Sequence, residues 1–181
     1  MTLSFKTQIN GKPTYFVEKI AQCLLSQMAL ADLSFYEKWY PIKLNENYTL
    51  CRDWYEGNIV SKLHTIRKDN ANRWHCGRDI HLVIKNRTPD RFQFAPVVEC
   101  LGVQKIDIKI TSLNKEGKVS GALIWIDDNY LGGYNLYGGL PSQKDIELLA
   151  INDGFDDLEQ FFEYFNTDFE GKIIHWTDLK Y

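Results

Sequence analysis

Residues 61–83 read SKLHTIRKDNANRWHCGRDIHLV: a strand, a polar turn and a second strand. Thr65 and Ile66 are β-branched and favour the pleated conformation. Alternation puts Leu63, Thr65 and Arg67 on one face of that strand and His64 and Ile66 on the other. Asp69-Asn70-Ala71-Asn72 is loop chemistry, and Gly77 suits a tight turn before Ile80, Leu82 and Ile84 alternate. A strand carrying His64, Thr65 and Arg67 is either an exposed edge or lines something with its polar side chains.

Working outward, Leu3 to Thr7 reads as a first strand, and Asn10-Gly11-Lys12-Pro13 as a turn. Thr14 can cap a helix near 14–28, whose Phe16, Ile20, Cys23, Leu24 and Gln27 fall at helical spacing. A new helical start is expected at Asp32 to Ser34, stopped by Pro41, with irregular aromatic-rich chain to Gly57. Downstream, Ile106, Ile108 and Ile110 alternate in a strand, Asn114-Lys115-Glu116-Gly117 is a hairpin turn, and Val119 to Ile126 returns antiparallel. Pro141-Ser142 opens a helix through Ile146, Leu149 and Ala150. Asp156-x-x-Glu159 has the form of a capping box for a last helix that buries Leu158, Phe161, Phe162 and Phe165. Lys172 to Trp176 is the final strand. About six or seven strands with short connections predict an α+β fold, a small β-barrel decorated by helices.

At 181 residues the chain suits one domain, 1–181, with an insertion at about 29–58. The net charge of −3 argues against a general duplex-DNA coat. Charge is uneven, however: Lys62, Arg67, Lys68, Arg73, Arg78, Lys85, Arg87 and Arg91 are opposed only by Asp69, Asp79 and Asp90. From Asp145 to Glu170 the balance is acidic, so the basic stretch either meets phosphate or pairs within the fold. Cys23, Cys51, Cys76 and Cys100 form no C-x-x-C, which predicts free thiols, no metal and no cofactor. No signal peptide and no apolar run of about 18 residues is present, so a cytoplasmic protein without membrane partners is expected.

The run Lys62-x-x-Thr65-Ile66-Arg67, followed by Trp74-x-x-Gly77, resembles the signature of the ASCH superfamily, which has a PUA-like fold. Leu3-Ser4-Phe5-Lys6 is similar to that family's opening strand, and Ala150-Ile151-Asn152-Asp153-Gly154-Phe155 to its A-x-x-E-G-F segment, with Asp153 in place of Glu. The chain departs from the family by its long insertion before Lys62. The resemblance implies a cleft for RNA, single-stranded nucleic acid, a nucleotide or a nucleoside. Lys62, Thr65, Arg67, Arg73, Trp74 and Arg78 would bind there. Some small ASCH-like enzymes are amidohydrolases that remove an acyl group from the exocyclic amine of cytidine, and their catalytic Lys, Thr and Glu fall on Lys62, Thr65 and Asp153. Chemically, a lysine made partly neutral by burial can activate a threonine hydroxyl, and a carboxylate can serve the leaving group. The same residues also support binding alone, Lys62 and Arg67 holding phosphate and Thr65 bonding base or ribose. Each has a purely structural reading as well: a surface Lys62, an Arg67–Asp153 ion pair, a Trp74 packed under its turn.

Overall fold

In the computed structural model, residues 1–27 and 59–181 are described; the expected insertion at about 29–58 and Cys51 lie outside them. The chain is mixed α+β and forms two compact units, each assembled from two separate segments.

The first unit takes Met1–Lys62 and Arg78–Glu99. Strand β1 (Thr2–Phe5) lies parallel to β5 (Asp79–Ile84), pairing Leu3 with Leu82 and Phe5 with Ile84. Two-residue strands β6 (Phe92–Gln93) and β7 (Val98–Glu99) pair antiparallel with β5, and β2 (Gln8–Ile9) with β3 (Lys12–Pro13). Helix α1 (Phe16–Gln27) begins just after Thr14, whose Oγ1 accepts the Phe16 amide and donates to the Lys6 carbonyl. Its apolar face buries Phe16, Ile20 and Leu24, and Phe5 meets Phe16 and Phe94 edge-on.

The second unit takes Leu63–Gly77 and Cys100–Tyr181. Its sheet runs β10 (Asn129–Asn135), β9 (Val119–Ile126), β8 (Gly102–Leu113), β11 (Phe169–His175) and β4 (His64–Arg67), every pairing antiparallel. The β8–β9 turn is tied by Asn114 Oδ1, which accepts the amides of Glu116 and Lys118. Ile106 and Ile108 point inward, as the sequence predicts, paired with Ile126 and Ile124 of β9, whereas Ile110 is only half-buried. Helices α2 (Gln143–Asn152) and α3 (Leu158–Tyr164) complete the unit, α3 burying Leu158, Phe161 and Phe162.

Two expectations need correction. Among the described residues the three sheets are open, not closed into a barrel. The physical reason is visible at both edges of the large sheet. On edge strand β10, the Gly133 and Asn135 amides donate to Ser142 Oγ and Gln143 Oε1. At the β4 edge, the Leu63 and Ile66 amides donate to Asn152 O and Asp153 Oδ1. Edge donors are thus satisfied by the two ends of α2 rather than by further strands. Gly132 makes room at the first of these, since a Cβ there would sit 2.6 Å from the Ser142 carbonyl oxygen. The second correction is the α3 cap. Asp157, not Asp156, is the N-cap and accepts the Gln160 amide, while the Gln160 side chain reaches back to Asp156.

Candidate functional site

Strand β4 is buried on both faces: His64 is 0%, Thr65 2% and Ile66 3% exposed. Antiparallel pairing with β11 sets Thr65 opposite Ile174 and His64 opposite His175. That pairing depends on Gly171 in β11, where a Cβ would lie 2.5 Å from the Arg67 carbonyl oxygen. The Thr65 hydroxyl makes no hydrogen bond among the described residues.

Asp153 follows the last residue of α2 and is 3% exposed. Its Oδ1 accepts the Ile66 amide at 3.1 Å and lies 3.7 Å from His64 Nδ1. The fold therefore brings the carboxylate to the strand residue next to Thr65. Behind it sits a polar cluster that motif reading did not find. The Tyr181 hydroxyl is 2.7 Å from His64 Nε2 and accepts from Asn152 Nδ2 at 2.9 Å. Burial lifts the Tyr181 phenol well above its ordinary pKa, so it stays protonated. Gln104 fixes the Tyr181 backbone, its Oε1 accepting the amide and its Nε2 donating to the carbonyl. His175 packs its ring 5.3 Å from that of His64, and neither ring nitrogen has a hydrogen-bond partner among the described residues. Burial, helped by Lys180, pushes His175 down to about 4. The available signal was His175 itself, a histidine closing the apolar run Ile173-Ile174.

The other sequence-predicted residues divide between the two units. Lys62 ends the opening segment of the first unit and is 1% exposed. Its Nζ stands 4.7 Å from the Phe16 ring centroid, a favourable seat for an ammonium, and its amide donates to Lys19 O. Arg67 is half-buried at the end of β4, opposite Lys172. Asp69 is a buried turn-former that accepts the Arg73 and Trp74 amides, with the exposed Arg73 guanidinium 3.9 Å away. Trp74 is only 7% exposed, so little of its ring is free to stack on a base. Arg78 belongs to the first unit, where its guanidinium reaches Met1 Sδ. Lys85, Arg87 and Arg91, also of that unit, are exposed around the β5–β6 turn. The acidic stretch pairs at the surface with Lys109 and Lys118. Cys23 and Cys100 are buried free thiols and Cys76 an exposed one.

Among the described residues no group of three or more His, Cys, Asp or Glu is placed to hold a metal ion, and no helix is long and apolar enough to cross a membrane. Comparison of the chain with protein-family models, with curated proteins and with solved structures found no match.

Proposed function

We propose that this chain is a nucleotide- or single-stranded nucleic-acid-binding domain of the PUA-like, ASCH kind, and that it takes its ligand at Thr65. The observation that carries the reading is the Thr65 hydroxyl. It belongs to an almost fully buried residue yet is committed to no protein partner among the described residues, while the neighbouring Ile66 amide is held by Asp153. A hydroxyl kept open in a fixed strand is suited to donate to, or accept from, a base or ribose. Arg67, on the same face of β4 by alternation, offers a fork of donors matched to phosphate.

Hydrolysis of an acylated cytidine by Thr65, Lys62 and Asp153 is the second reading. It asks Asp153 to move a proton, whereas Asp153 Oδ1 already serves as an acceptor at the strand edge. That commitment supports binding over turnover. Titration calorimetry with cytidine and uridine 5′-monophosphates and a short single-stranded RNA tests the first reading. Chromatography of N4-acetylcytidine incubated with the protein tests the second. Deacetylation above a heat-killed control, abolished by Thr65→Ala, would replace binding with catalysis.

A further inference from the structure

The Tyr181 hydroxyl has one proton to give and two partners among the described residues. Asn152 Nδ2 donates to its oxygen, so the phenolic proton goes to the acceptor within reach, His64 Nε2. A neutral imidazole that accepts at Nε2 carries its own proton on Nδ1. His64 Nδ1 is the nitrogen that faces Asp153 Oδ1, at 3.7 Å, and both residues are almost fully shielded from water. That separation exceeds hydrogen-bond range, so the contact is electrostatic, and it is strengthened by the low local polarity.

We propose that Asn152, Tyr181 and His64 are positioning residues. They form a directed chain that fixes the His64 tautomer and so holds the Asp153 carboxylate against the Ile66 amide, beside Thr65. The chain of contacts stands on geometry alone; its bearing on ligand affinity rests on the nucleotide reading above. His175 packs against the same pair with no hydrogen bond among the described residues, so it does not compete for the tautomer.

Long-range proton–nitrogen NMR on the full-length protein reads the tautomer directly. At neutral pH, His64 should show a pyrrole-type Nδ1 and a pyridine-type Nε2. Tyr181→Phe keeps the ring and removes the proton donor. It should mix the two tautomers and speed exchange of the Ile66 amide about fivefold, the equilibrium weight of one modest hydrogen bond. His64→Gln should speed the same exchange, while amides of β9 stay protected in both variants. A pyrrole-type Nε2 in the wild type would mean the reverse chain and overturns the proposal. Unchanged tautomer and exchange in Tyr181→Phe overturns it as well. Cytidine 5′-monophosphate titrated into the same samples separates the two claims. A wild type that binds no nucleotide but shows the expected tautomer defeats the ligand reading alone. Loss of the tautomer in Tyr181→Phe with nucleotide affinity intact keeps the chain and defeats only its bearing on affinity.

Discussion

Asp153 Oδ1 accepts the backbone amide of Ile66 at 3.1 Å, joining residues 87 positions apart in the chain. The contact closes the unpaired edge of β4 and aligns the strand that carries Thr65. Asp153→Ala would leave a buried N–H without a partner and should cost about 1–3 kcal/mol in urea unfolding. Asp153→Asn keeps an acceptor and should cost less. Asp153→Glu must place an extra methylene at a position 3% exposed, and should destabilise by about 1–3 kcal/mol through overpacking. Restoring the acid of the ASCH-like motif would therefore cost stability here.

Thr65→Val is nearly isosteric. Because the hydroxyl has no protein partner among the described residues, unfolding should shift little. Nucleotide affinity should fall by about 0.5–1.5 kcal/mol, roughly 2- to 12-fold, for one neutral hydrogen bond lost. Calorimetric titration paired with thermal unfolding distinguishes this from a strand-filling threonine, whose loss would move stability and leave affinity alone.

Much of this architecture was legible in the sequence because its carriers are local. The alternation of Ile106 and Ile108, the Asn114–Gly117 turn and the apolar face of α3 are all written within a few residues, and the structure has each of them. The two-residue strands β2, β3, β6 and β7 are too short to show any period. The α3 cap sits one residue past the expected Asp156 because Asp156 and Asp157 are adjacent and both suit a cap. The barrel expectation failed for a different reason: whether an edge amide pairs with a strand or with Ser142, Gln143 or Asp153 is decided by tertiary placement. At the candidate site, Thr65 and Asp153 carry motif signals, whereas Tyr181 and His175 join them only through register and chain reversal.

His175 makes a pH prediction. Its pKa in the fold, about 4, lies below the ordinary 6.5, so the unfolded chain takes up a proton that the native chain refuses. Its contribution is intact above pH 6.5 and is lost progressively as pH falls toward 4. The full loss is on the order of 3 kcal/mol. His175→Leu removes this group, and its unfolding free energy should fall less steeply than that of the wild type across the same window. Parallel curves for the two proteins would show that His175 is not held neutral.

Gly171→Ala probes the register of β4. The added methyl meets the Arg67 carbonyl oxygen at 2.5 Å, and backbone must move to accept it. A loss of about 1–3 kcal/mol is expected, with faster exchange of β4 amides than of β9 amides.

The central claim is that the protein binds a nucleotide at Thr65, and calorimetry of cytidine 5′-monophosphate against wild type, Thr65→Val and Arg67→Met tests it most directly. Saturable binding to the wild type is expected, weakened roughly 2- to 12-fold in Thr65→Val and by about 1.5–3 kcal/mol in Arg67→Met, the loss of one charge-assisted hydrogen bond. No heat of binding for the wild type, or identical affinity in all three proteins, would contradict it.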